Sequence, residues 1–235
     1  MKVAAVLTPA EIDQLPKSDL TRITAVVFDV LRATSTMTTA LESGASAIYP
    51  AKDIAEAHAF RAKYPHALLG GERHGEKIEG FDLGNSPLEY RDLAGREIIS
   101  TTTNGTIALR AVAHAQTVIA GALLNIRAVA NYLATHPPEE LLLVCAGTGR
   151  DFAIEDGLAA GALLSELTFD FHSDDAAKML LALWRSHASD PFAALADSRN
   201  GRRLIERGRS AEVEWCSQVS VCATAGILSG EALRP

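Results

Sequence analysis

Short apolar runs, each followed by a stretch of helical character, recur along this chain and leave it few architectures. Ala25-Val26-Val27-Phe28 and Leu141-Leu142-Leu143-Val144 are continuously apolar rather than alternating. A strand with one wet face alternates, whereas an unbroken apolar run suits a strand covered on both faces, as in parallel sheets. Between such runs, residues 35–43, 52–63, 126–135 and 154–167 have the composition and spacing of helices. Strands and helices in this alternation predict an α/β fold, a three-layer α/β/α arrangement with a mostly parallel or mixed sheet.

Further strands are expected at residues 1–7, 47–49, 67–69, 97–100 and 116–120. Ser86-Pro87-Leu88-Glu89 has the form of an N-cap, a first-turn proline and a third-position carboxylate, predicting a short helix. In the last third, residues 176–186 and 200–206 read as helices and residues 212–216 as an edge strand. The order apolar strand, Thr-rich turn, Ala-rich helix, apolar strand occurs at residues 24–49 and again at 97–119. Two similar packed lobes would produce that echo, and so would any βαβ unit. The expectation is one domain over residues 1–235, with a lobe boundary near residues 121–140 if lobes exist.

The 235 residues are 48 % hydrophobic, enough for a sizeable core. A formal charge of −7 and scattered Lys and Arg leave no nucleic-acid footprint. The one basic cluster, Arg199, Arg202, Arg203, Arg207 and Arg209, has no interleaved aromatics and reads as a solvated face. An anionic ligand would have to be captured by locally placed Arg side chains and backbone N–H groups. Cys145, Cys216 and Cys222 do not make a disulfide framework, and Cys216 and Cys222 lack the histidines of a zinc motif. No apolar run reaches membrane-spanning length and no leader pattern opens the chain, so no membrane partner is expected and the cytoplasm is the default.

The segment from Gly71 to Pro87 carries Glu72, Arg73, His74, Glu76, Lys77, Glu79 and Asp82 on a backbone punctuated by Gly71, Gly75, Gly80 and Gly84. Charges of both signs on a Gly-rich backbone suit a site that holds an anion and a divalent cation together. Glu72 and Asp82 are the best-placed candidate metal ligands, with Arg73 and Lys77 as anion contacts. Glu76 and Glu79 read equally well as solvated, and His74 as a proton carrier or a surface residue.

Asp29 ends an apolar strand, and the carboxyl ends of strands form the binding crevice of open α/β sheets. It is a candidate cation ligand or nucleophile, or else a turn carboxylate. The haloacid-dehalogenase pattern has a second Asp two residues on, where this chain has Leu31, which disfavours that type of aspartyl-phosphate route. Arg32 is placed to clamp a phosphoryl oxygen beside the following helix start, or to pair with Asp29. Thr34, Ser35 and Thr36 read as capping residues. Thr101-Thr102-Thr103-Asn104-Gly105-Thr106 forms a second helix-start turn whose hydroxyls and N–H groups suit an oxyanion. The two turns are expected to converge on one crevice. Cys145 and Arg150 are separated by four residues, one fewer than a cysteine-phosphatase loop requires, so Cys145 reads as structural and Arg150 as an anion contact. Asp156 is a candidate metal ligand or a helix-start acid.

Together, Phe28-Asp29-Val30-Leu31-Arg32-Ala33-Thr34-Ser35, the Gly71-Glu72-Arg73 to Ser86-Pro87 segment, Thr102-Thr103-Asn104-Gly105-Thr106, and Cys145-Ala146-Gly147 with Glu155-Asp156 resemble the 2-phosphosulfolactate phosphatase family. The resemblance implies an α/β, Mg²⁺-dependent hydrolase that releases phosphate from 2-phosphosulfolactate in coenzyme M biosynthesis. Asp29, Arg32, Glu72, Arg73, Asp82, Asn104 and Asp156 fall on the family's motifs. The tail departs from it, reading Val213-Glu214-Trp215-Cys216 and later Gly226-Ile227-Leu228.

The expected catalytic group is Asp29, Arg32, Glu72 and Asp82, with Mg²⁺ held by some of Asp29, Glu72, Asp82 and Asp156. Arg73, Thr102, Thr103, Asn104, Gly105, Thr106 and Arg150 are the expected contacts of a small polyanionic phosphorylated substrate. Two other readings are another phosphorylated 2-hydroxy acid as substrate, and a non-catalytic regulator that binds an acidic metabolite. A homodimer is expected from the enzyme class alone.

Overall fold

Alternate residues of the strand at Ile23–Phe28 enter different cores, which accounts for its unbroken apolar run. In the computed structural model, which describes residues 1–235, Val26 and Phe28 pack on one face with Leu141 and Leu143. Ala25 and Val27 pack on the other with Leu142 and Val144. Successive side chains of a strand point to opposite faces, so a strand between two helical layers must be apolar at every position.

The strands are β1 (Lys2–Val6), β2 (Ile23–Phe28), β3 (Ala47–Ala51), β4 (Leu68–Arg73), β5 (Glu76–Lys77), β6 (Glu97–Thr101), β7 (Thr117–Gly121), β8 (Glu140–Cys145), β9 (His172–Ser173), β10 (Gly226–Ser229) and β11 (Ala232–Arg234). The helices are α1 (Pro9–Ile12), α2 (Ala33–Glu42), α3 (Ile54–Lys63), α4 (Gly105–Ala111), α5 (Ile126–Thr135), α6 (Ile154–Glu166), α7 (Asp175–His187), α8 (Pro191–Asp197), α9 (Arg199–Glu206) and α10 (Ser210–Cys216). None is long and apolar enough to cross a membrane.

All eleven strands form one mixed sheet in the order β5-β4-β6-β3-β11-β10-β7-β2-β8-β1-β9, with helices over both faces, a three-layer α/β/α fold. It contains two parallel groups, β4-β6-β3 and β7-β2-β8-β1-β9. The C-terminal hairpin β10–β11 joins them, antiparallel to β7 on one side and to β3 on the other. The echoing segments interleave: β2 pairs with β7, and β3 pairs with β6, so each segment supplies one strand to each group. Residues 121–140 do not separate two lobes, because the strands on either side, β7 and β8, both pair with β2.

One core holds Val27 and Val144 from one group beside Ile48 and Ile98 from the other, with Met37 and Leu41 of α2 and Leu109 of α4 between them. The sheet therefore wraps around α2 and α4. Twist of about 20–25° per strand, accumulated between β2 and β6, brings the loops that follow these strands to one place.

Three sequence expectations are corrected. Residues 212–216 belong to helix α10, not an edge strand: Val213 and Cys216 are both buried, the spacing of one helix face, and Glu212 is held by an ion pair. The charged segment opens as strand, with β4 running through Gly71-Glu72-Arg73 and reversing at His74 (φ 57°) and Gly75 (φ 82°) into β5. Pro87–Glu89 makes a single 3₁₀ turn, and the Ser86 side chain forms no cap hydrogen bond.

Candidate active site

Asp29 follows β2 directly and is 9 % exposed at the floor of a cleft of about 240 Å³. Its Oδ1 accepts the Ala33 N–H of α2 at 3.1 Å, and Gly105, which opens α4, lies against its Oδ2. The two helix-start turns therefore converge as expected, with the Asp29 carboxyl group between them. Gly105 is required there, since a Cβ would come within 2.6 Å of Asp29 Oδ2 and 2.5 Å of the Ala33 Cβ. Thr34 and Ser35 serve the turn itself: Thr34 Oγ1 accepts the Asp29 N–H at 2.9 Å, and Ser35 Oγ donates to the Val30 carbonyl at 2.8 Å.

One wall comes from the β4–β5 turn. Glu72 Oε1 accepts the Thr103 N–H at 2.8 Å and Oε2 accepts the Gly75 N–H at 2.7 Å, so this one carboxylate ties the turn to the loop after β6. Thr103 and Asn104 line the cleft, and Asn104 Nδ2 donates to the Ala146 carbonyl at 3.1 Å. Arg32 is 5 % exposed and pairs with Glu212 of α10 at 2.5 Å, not with Asp29, while its second amino group donates to the Gly75 carbonyl at 3.1 Å. Removing either partner of such a buried pair leaves an uncompensated charge.

Several expected residues stand elsewhere. Asp82 is exposed and outside the cleft; Oδ2 accepts the Leu69 N–H at 2.8 Å and lies 3.6 Å from Arg61. Arg150 is exposed and lines a neighbouring pocket beside Pro9 and Ile107. Arg73 turns back to the Glu72 carbonyl and the Thr101 hydroxyl at 2.7 and 2.9 Å. Thr102 and Thr106 are buried and cap each other, with N–H to hydroxyl bonds of 2.9 and 3.0 Å. Asp156 is buried below the cleft, its oxygens accepting the Val30 and Gly147 N–H groups, each at 2.9 Å. Those bonds lock the loop after β2 to the loop after β8. Cys145 is fully buried and its thiol is held well above its ordinary value by burial, in keeping with a structural role.

No three of His, Cys, Asp and Glu converge into a metal cage. Asp29 and Glu72 are the two acids that line the cleft. Mg²⁺ is ordinarily held by one or two carboxylates with waters and substrate oxygens. The pair therefore fits that ion without Asp82 or Asp156.

Burial foremost, with Glu72 and Glu155 nearby, pushes the Asp29 carboxyl up to about 7. Burial also raises Glu155 and Asp156. The folded chain thus keeps a proton on Asp29 that the unfolded chain has released, across the range between the ordinary value of 3.8 and about 7. Stability is full below that range and falls as pH rises through it, since the folded state binds the extra proton. Asp29 alone corresponds to a loss of up to about 4 kcal/mol. Urea denaturation of chelator-treated protein at several pH values checks this: stability should decline as pH rises from about 4 through 7, and a rise over that interval would contradict it.

Sequence reasoning missed Asn200, Arg203 and Arg207, which line the cleft from α9 and its C-cap. The missed signal was their spacing, i, i+3 and i+7, which puts them on one helix face. Absence of interleaved aromatics is a test for nucleic acid and says nothing about a small anion. Arg207 pairs with Glu76 of the β4–β5 turn at 3.0 Å. Asn200 Nδ2 donates to Glu155 at 2.6 Å and to Thr148 at 2.5 Å.

The family described as 2-phosphosulpholactate phosphatase matches residues 8–231 by its sequence profile. A protein of Carboxydothermus hydrogenoformans, named probable 2-phosphosulfolactate phosphatase, is 42 % identical over 83 % of this chain and 82 % of its own. One of Deinococcus radiodurans with the same name is 42 % identical over 89 % and 88 %. One of Thermotoga maritima, again so named, is 40 % identical over 83 % and 84 %. A match from Thr8 to Glu231, together with relatives aligned over most of both chains, means that this chain belongs to the 2-phosphosulfolactate phosphatase family.

Proposed function

We propose that the protein is a cytoplasmic, Mg²⁺-dependent phosphatase that hydrolyses 2-phosphosulfolactate to sulfolactate and phosphate. The observation that carries this reading is Asp29, a carboxyl group set between two helix starts at the floor of a cleft whose rim is cationic. A compact polyanion matches that arrangement. Asp29 and Glu72 are the residues that would hold Mg²⁺, which supplies Lewis-acid polarisation of a phosphate oxygen when bound.

The remaining work belongs to the chain. Arg32 has five N–H groups, of which the Glu212 and Gly75 bonds use only part, so the others can meet phosphoryl oxygens. The Thr103 hydroxyl and Asn104 amide add donors on the facing wall. These groups oppose charge developing on the transferring phosphoryl group, the main demand of this chemistry. Attack comes from water or from the Asp29 carboxylate. Rapid acid quench with phosphorus-labelled ester separates the two, because protein-bound phosphate forms only on the second route.

Phosphate release from racemic 2-phosphosulfolactate by metal-stripped protein tests the reading. Release is expected on adding Mg²⁺ and should be at least about a hundredfold slower without it. Tight binding of the ester without release would instead make the protein a binder of acidic metabolites.

A further inference from the structure

We infer that Arg203 is the specificity residue of the cleft, reading the substrate's sulfonate at the rim while the phosphate lies at the floor. The inference rests on the phosphatase reading above for the identity of the two acids. Three arginines line the cleft, and two are committed. Arg32 is buried against Glu212 at 2.5 Å, and Arg207 is paired with Glu76 at 3.0 Å. Arg203 makes no ion pair; its one polar contact is a 3.4 Å bond to the His74 carbonyl. It is an exposed guanidinium beside a cleft with carboxylates at its floor, and so the free countercharge for an incoming acid.

Its position is well defined. The helix carrying it is docked through buried Leu204 and through Gly201, where a Cβ would come within 1.8 Å of the Leu195 carbonyl oxygen. Such close packing leaves α9 little room to shift, so the backbone that carries Arg203 is set before a ligand binds.

The substrate's chemistry says which acid reaches it. In 2-phosphosulfolactate the carboxylate and the phosphoester oxygen share one carbon, so the carboxylate stays near the floor with the phosphate. The sulfonate hangs on the next carbon and extends toward the rim. A guanidinium fork can donate two hydrogen bonds to two of its oxygens.

The test compares kcat/KM for 2-phosphosulfolactate and 2-phospholactate, which lacks only the sulfonate. Arg203→Gln should lower the ratio of the two by about tenfold to a hundredfold, mainly through KM, and Arg203→Lys should lower it less. Arg202→Gln is the control, because Arg202 is exposed and pairs with Asp197 at 2.9 Å; its ratio should stay as in the wild type. An unchanged ratio in Arg203→Gln, with both esters losing equally or neither losing, overturns the inference. If the wild type hydrolyses neither ester, the phosphatase reading fails by itself, and calorimetry with racemic 3-sulfolactate then decides Arg203. Binding by the wild type that Arg203→Gln weakens about tenfold or more upholds the inference. Equal affinity, or no binding by the wild type, overturns it.

Discussion

Asp29→Asn is expected to cut Mg²⁺-dependent phosphate release by about a thousandfold or more, a barrier increase on the order of 4 kcal/mol. The amide keeps one acceptor oxygen, enough for the Ala33 N–H, so the start of α2 stays anchored. It loses the negative charge needed to hold the cation or to attack phosphorus. The same substitution should raise stability at pH 8 in metal-free protein, because it removes a buried charge disfavoured by burial and by Glu72 and Glu155. Activity and stability therefore move in opposite directions, as expected where a site stores unfavourable charge. Steady-state phosphate release and urea denaturation of the two proteins check both parts. A variant retaining a tenth of wild-type activity would remove Asp29 from the chemistry.

Loss of the C-terminal hairpin is expected to prevent folding. A chain ending at residue 225 lacks β10 and β11, which lie between β7 and β3. Both neighbouring strands would expose unpaired backbone groups in the middle of the sheet, beside apolar faces built to be covered. Insoluble expression is the expected result. Leu233→Ala gives a graded version: Leu233 is fully buried and faces Ile48 across the β11–β3 pairing. It should cost about 2–5 kcal/mol. The melting temperature should then fall by about 4–20 °C for a chain of this size. A soluble, cooperatively melting truncated chain would show that the two strand groups hold together without the bridge.

The central strands were legible because burial on both faces demands an unbroken apolar run, and the segments at Ala25–Phe28 and Leu141–Val144 have one. Helix α5 falls on its expected bounds, Ile126–Thr135, since its apolar spacing is strong and His136 ends it. The tail was read less well. Glu212 and Glu214 alternate with Val213 and Trp215, so over five residues a helix end and an edge strand look alike. Burial of Glu212 against Arg32 breaks the tie, and that partner is 180 residues away.

The charged segment illustrates the same limit at the site. Glu72 and Asp82 look equivalent in sequence, each an acid beside glycine or apolar neighbours. The fold sends Glu72 into the cleft and turns Asp82 outward to the Leu69 N–H, because β4 carries one and the return past β5 carries the other.

By itself the sequence determined the α/β class, the position of Asp29 at a strand end and the two helix starts that follow β2 and β6. These follow from local period and turn chemistry, and they need no partner farther off than one βαβ unit. Only the tertiary structure decided that the C-terminal hairpin joins the two strand groups, that Arg32 pairs with Glu212, and that α9 brings Asn200, Arg203 and Arg207 to the cleft. Each of these depends on sheet twist and on packing between segments remote in the chain, which no local pattern records.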